Sequence, residues 1–188
     1  MNRKNSVKQT VTVAFFAAMI FLGIQTFRIP VPAAIGTPFL HFAHIFVMLA
    51  ILCMGGFEAA CAGLVGFVIF DLLNGYAASI PNVLFSTLVT CLTVGVMYPY
   101  LEEKAGDDRK KRWLAAVKSA ILYGVLNVLI DLAWNTYSMV MLGSKSIPAL
   151  FTALASVPAT VVNSIFTVIG VAVLYVPVVG AYRRIVKE

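Results

Sequence analysis

Residues 11–27 read VTVAFFAAMIFLGIQTF, an uncharged apolar run preceded by Arg3, Lys4 and Lys8 and followed by Arg28-Ile29-Pro30-Val31-Pro32. A basic flank before an apolar run is also how a secretory signal begins, and Val31-Pro32-Ala33-Ala34 could pass for a cleavage site. The run, however, exceeds the roughly 7 to 15 residues of a signal core. It reads as a retained membrane helix, ended where proline lacks a backbone donor and restricts the residue before it.

Working outward from this run, the same pattern recurs along the chain. Of 188 residues, 61% are hydrophobic and 12% charged, against about 25% charged in soluble domains. At roughly 20 apolar residues per crossing, the chain holds about six spans joined by short loops. The expectation is an all-α integral membrane protein forming one membrane domain over residues 1–188, with helices near 11–27, 39–54, 59–73, 81–100, 113–142 and 158–182. Gly55, Gly56 and Glu58 mark one turn and Asn74-Gly75-Tyr76 another; Pro81 opens the fourth helix. Pro158 divides a short interfacial segment from the last span. The second and third helices are short for full crossings, which implies tilt or local thinning of the bilayer.

The formal charge of +6 follows the span ends. Arg3, Lys4, Lys8, Lys104, Arg109, Lys110, Lys111, Arg112, Lys118, Arg183, Arg184 and Lys187 fall on one side; only Arg28 and Lys145 fall on the other. This bias predicts that both termini and the loop between the fourth and fifth helices are cytoplasmic. It also removes the basic composition as an argument for nucleic acid, since no one polar face collects the charge. Cys53, Cys61 and Cys91 lie inside apolar runs and read as packing residues, with no disulfide framework and no metal site.

Polar side chains inside a bilayer are costly, so their positions carry information. On the fifth helix Asn127, Asp131, Trp134, Asn135 and Ser138 share a face. Asn82, Ser86, Thr90 and Thr93 share one on the fourth, and Thr160, Asn163, Ser164 and Thr167 on the sixth. Asp71 and Asn74 close the outer end of the third. With the orientation above, Asp71, Asn74, Asn82, Trp134, Asn135 and Asn163 gather in the outer half, which predicts a polar and aromatic site open to the outside. Trp134 and Tyr137 suit stacking on a flat heterocycle, and Asp131, Asn135 and Asn163 suit bonding to its edge.

Each position has a plainer reading beside the functional one. The threonines and serines can bond their own helix or a neighbour, Asp131 can serve a helix-to-helix bond, and Asp71 can cap the turn at Asn74-Gly75. His41 and His44 share a face at the start of the second helix, where they read as hydrogen-bonding groups for a solute rather than metal ligands. Arg28 either attracts an anionic substrate or snorkels to the interface. Ala14 and Ala18, four apart, allow close approach of another helix, within the fold or from a partner.

There is no phosphate-binding glycine loop, no GxSxG elbow and no HExxH. No cofactor is expected. Nor is there an internal repeat of the kind many secondary transporters carry, so uphill transport would draw its energy from another chain. The competing classes are a small membrane enzyme using Asp71, Asp131 or the histidines on a lipid, and a self-sufficient channel or carrier.

The chain resembles the substrate-binding S component of an energy-coupling factor (ECF) vitamin transporter, of the riboflavin and hydroxymethylpyrimidine type. The resemblance rests on Ala14-x-x-x-Ala18 and on the segment from Gly55-Gly56 through Gly63, Gly66 and Asp71-Leu72-Leu73-Asn74-Gly75-Tyr76 to Pro81. Gly55-Gly56 stands where Gly-Pro is more usual. The resemblance implies a bacterial plasma-membrane protein that captures a vitamin or precursor at an outward pocket closed by residues 28–38. It further implies a transmembrane coupling subunit, contacted through Ala14 and Ala18, and two ATPase subunits. A hydroxymethylpyrimidine or pyridoxine-like substrate is the expectation, with riboflavin, folate and pantothenate as alternatives.

Overall fold

The computed structural model describes residues 3–31 and 38–187. Seven α-helices follow in order: α1 (Arg3–Gln25), α2 (Ala43–Met54), α3 (Gly56–Asn74), α4 (Ile80–Ala105), α5 (Arg109–Met141), α6 (Ser146–Ala153) and α7 (Val157–Lys187). Between α1 and α2 lies a short antiparallel pair, β1 (Ile29–Pro30) and β2 (Phe39–Leu40), with Ile29 opposite Leu40. A 3₁₀ turn, Ala77–Ser79, leads into α4.

Among the described residues five helices, α1, α3, α4, α5 and α7, are long and apolar enough to cross a bilayer. The segment 39–54 does not supply a sixth of that length. Phe39 and Leu40 are taken into the strand pair, so α2 starts only at Ala43 and has 12 residues. At 1.5 Å per residue it spans about 18 Å, against roughly 30 Å of hydrocarbon. Its run from Val47 to Ile51 is at most 1% exposed, because α1, α3, α4 and α7 all pack around it. This short, encircled helix is the core of the fold.

Helix ends follow local chemistry. Gly75 closes α3 in the left-handed region at φ 81°, its N–H donating to the Asp71 carbonyl, and Tyr76 N–H donates to that same oxygen at 2.8 Å. Asp108 caps α5 by accepting from the N–H groups of Lys110 (2.9 Å) and Lys111 (3.1 Å). These bonds, together with nearby lysine charge, hold its exposed carboxyl below the usual range. Close helix contact also needs small residues. A Cβ at Gly56 would strike the carbonyl oxygen of Cys91, and one at Gly66 the carbonyl oxygen of Ala17. The α3–α4 and α1–α3 seams therefore close backbone against backbone.

The two ends of the bundle differ. At one, Gln9 of α1 donates to Glu58 of α3 at 2.6 Å, and Arg183 of α7 pairs with Glu102 of α4. The α4–α5 loop and its basic residues lie at this end. At the other end Arg28 meets Asn74, and β2 meets α7. Because α2 begins below the ends of its neighbours, a space is left above its first turn.

Candidate ligand-binding site

That space is a cavity of about 440 Å³, within the usual range of ligand pockets. His41 and His44 form its base, with ring centroids 4.9 Å apart. From α3 come Phe67, Phe70 and Asp71, which helical spacing places on one face; Tyr76 and Ser79 follow from the turn. Helix α4 adds Asn82, Ser86 and Thr87, α5 adds Tyr123, Asn127 and Asp131, and α7 adds Thr160 and Asn163. Pro38 and Phe39 close one side. The aromatic wall is tightly organised: Phe70 stacks on Tyr76 with an interplanar angle of 14°, and Phe39 meets both rings edge-on.

Most polar groups around the cavity are already committed. Asp131 Oδ1 accepts from Asn135 at 3.0 Å, and its Oδ2 accepts from Ser156 at 3.1 Å and Thr160 at 2.9 Å. Asn163 fastens the strand pair to α7: its Oδ1 accepts from the His41 N–H at 3.0 Å and its Nδ2 donates to the Phe39 carbonyl at 2.7 Å. His44 Nδ1 and the Tyr123 hydroxyl share a 2.9 Å bond.

Two acceptors are different. Asp71 Oδ2 and Asn82 Oδ1 are buried and have no hydrogen-bond partner. Asp71 is 5% exposed and has no ion pair among the described residues. A buried acceptor left unpaired costs on the order of 1–3 kcal/mol. Both orphans belong to residues lining the same cavity, so two acceptor positions there remain open to hydrogen-bond donors.

Of the residues expected from the sequence, His41, His44, Asp71, Asn82, Asp131 and Asn163 line this cavity. Arg28, Asn74, Trp134, Asn135 and Tyr137 do not. Arg28 and Asn74 bond each other at the rim, at 2.8 Å. Asn135 stands behind Asp131, bonded to it and to Ser156. Trp134 packs on Phe85 of α4, 5.7 Å between centroids, and Tyr137 packs on Trp134 while 55% exposed. At 100° per residue Trp134 is turned about 60° from Asp131 and Tyr137 about 120°, enough to carry both rings out of the cavity. Ala14 and Ala18 are exposed on the outer face of α1, remote from it. Of the closing segment 28–38, residues 32–37 lie outside the described residues. No group of three His, Cys, Asp or Glu side chains is arranged to hold a metal among the described residues.

The family described as "ECF-type riboflavin transporter, S component" matches residues 4–183. The chain belongs to this family. Comparison with curated proteins gives no match. Among solved structures, the S component for biotin from an ECF-type ABC transporter is similar at a TM-score of 0.63, with 18% identity over 93% of this chain and 94% of that one. At that identity the likeness shows the fold. The chain is thus the substrate-binding membrane subunit of a vitamin transporter, and the class is that of a transporter component rather than of an enzyme.

Several of the cavity residues were within reach of the sequence. Tyr123 lies four residues before Asn127, which lies four before Asp131, so the α5 face extends one turn further than the polar pattern alone. Phe67 precedes Asp71 by the same interval. Phe39 and Tyr76 carry no such signal, since both lie outside the long helices and reach the site through the strand pair and the α3–α4 turn.

Proposed function

We propose that this S component captures a flat, fused-ring vitamin of the flavin class, with riboflavin as its first candidate. The observation that carries the reading is the pair of orphaned acceptors, Asp71 Oδ2 and Asn82 Oδ1, set in an aromatic-walled cavity of about 440 Å³. Rings such as Phe39, Phe70 and Tyr76 offer faces and edges to a planar ligand. The free acceptors ask for N–H or O–H donors, which an imide and a polyol chain supply. A single-ring pyrimidine or pyridine, the class favoured by sequence alone, would leave much of that volume to water. The family's description points the same way.

The basic end of the bundle faces the cytoplasm by the positive-inside rule, so both termini are cytoplasmic, the cavity opens outward, and α2 completes a six-segment membrane domain. Transport energy comes from partners, a transmembrane coupling subunit and two ATPase subunits, with the exposed Ala14 and Ala18 side of α1 as the docking face. The test is titration of the detergent-purified protein with riboflavin, followed by quenching of flavin fluorescence and by native mass spectrometry. Saturable binding that is lost in Asp71→Ala supports the reading. Binding of hydroxymethylpyrimidine or pyridoxine but not riboflavin moves it to a single-ring substrate, and binding of folate or pantothenate alone overturns the flavin assignment.

A further inference from the structure

A second pocket, of about 390 Å³, lies at the opposite end of the bundle between the start of α5 and the end of α7. Four arginines surround it, Arg109 and Arg112 from α5 and Arg183 and Arg184 from α7, with Asp107 as the one acidic residue in its lining. Two of the arginines are partly engaged. Arg112 donates through Nε to the Gly106 carbonyl and through Nη2 to Asp107, and Arg183 donates through Nη2 to Glu102 and Tyr98. A guanidinium has five N–H donors, so each retains unused ones. Arg109 and Arg184 are exposed and form no ion pair among the described residues. Even after Asp107 and Glu102 are counted, the pocket holds an excess of positive charge.

Its floor is of the opposite character. Val176 and Val179 line the pocket together with the arginines, and at Gly180 no atom stands within 4 Å of where a Cβ would be. From there an apolar track continues along the outer face of α7, where Val176 is 52% and Val173 66% exposed. Nearby, half-buried Trp113 donates its indole N–H to the Ala172 carbonyl at 2.9 Å, a side chain suited to the level of the lipid headgroups. A free anion would use only the arginines; an amphiphile uses both parts.

We propose that this pocket binds the phosphate headgroup of an anionic phospholipid, whose acyl chains lie along Val176 and Val173. Arginine forks match phosphate oxygens in pairs, and basic pockets between membrane helices are suited to such headgroups. The site is independent of the vitamin assigned above, since it shares no lining residue with the ligand cavity.

The experiment is native mass spectrometry of the purified full chain with phosphatidylglycerol or phosphatidylcholine added at equal mole fraction. Phosphatidylglycerol is retained preferentially by the wild type, and Arg109→Ala/Arg184→Ala lowers its retention on the order of tenfold. Lys110→Ala/Lys111→Ala, an equal loss of charge outside the pocket, stays close to wild type. Arg184→Gln alone shifts retention in the same direction as the double variant, with an unchanged elution profile. Equal retention of the two lipids, or an equal fall in both double variants, overturns the proposal. So does displacement of phosphatidylglycerol by millimolar inorganic phosphate, which would make this a free-anion site.

Discussion

Arg28 donates through Nη1 to Asn74 Oδ1 at 2.8 Å, joining the residue just before β1 to the last residue of α3. The same guanidinium lies 5.4 Å from the Phe70 ring centroid and 5.8 Å from that of Phe39, both of them cavity walls. Asn74 is held in turn by donating to Gln25 and to the Phe70 carbonyl, each at 2.9 Å. Two residues that read from the sequence as ligand contacts thus bond each other, as a clasp at the cavity rim.

A clasp acts on exchange more than on contact. Arg28→Ala removes the bond and both ring contacts, together worth about 1–2 kcal/mol, and is expected to raise the ligand dissociation rate about tenfold in a stopped-flow displacement experiment. Arg28→Lys keeps the charge without the planar fork and falls between. Dissociation as slow as in the wild type would mean that the rim opens without breaking this bond.

Asp71 yields a prediction in which stability and binding move in opposite directions. Its Oδ2 is buried without a hydrogen-bond partner, so Asp71→Ala removes a group that burial penalises there. Thermal unfolding of the ligand-free variant is therefore expected at or above the wild-type midpoint. Ligand affinity is expected to fall about 10- to 100-fold, from the loss of a charge-assisted bond worth about 1.5–3 kcal/mol. A variant that unfolds earlier and binds normally would make Asp71 a structural residue.

Asp131 should behave in the contrary way. Its two oxygens already accept from Asn135, Ser156 and Thr160, binding α5 to the start of α7. Asp131→Ala leaves those donors without their acceptor and is expected to destabilise the ligand-free protein by about 2–3 kcal/mol, seen as a lower unfolding midpoint. Asp131→Asn, which retains one acceptor, should cost less. Unchanged stability with abolished binding would instead assign the carboxylate to the ligand.

These contrasts mark how far the sequence could be read. The long spans were legible because lipid offers no hydrogen bonds, so every crossing must be an apolar helix. The faces of α3 and α5 were legible because a spacing of four residues aligns side chains. The partners of a face were not. Trp134 shares a polar helix with Asp131, yet packs against Phe85, and Asp131 finds Ser156 and Thr160 in segments 25 and 29 residues away. The late start of α2 was equally hidden, since Phe39 and Leu40 are as apolar as the helix that follows and only their pairing with Ile29 and Pro30 excludes them from it.

Helix α1 presents a buried and an exposed face within two turns. Phe16, Ala17 and Ile20 are buried at 4%, 5% and 0% exposure, and the Ala17 carbonyl lies where a Cβ on Gly66 would fall. Ala14 and Ala18 are exposed on the other side of the same turns. Ala17→Trp is therefore expected to disrupt the α1–α3 seam, with loss of folded protein. Ala14→Trp and Ala18→Trp should fold and bind ligand with wild-type affinity. In cells carrying the coupling subunit and its ATPases, those two variants are expected to lose most uptake, because an indole would block close helix approach. Normal uptake by both, beside a disrupted Ala17→Trp, would place the docking face on another helix.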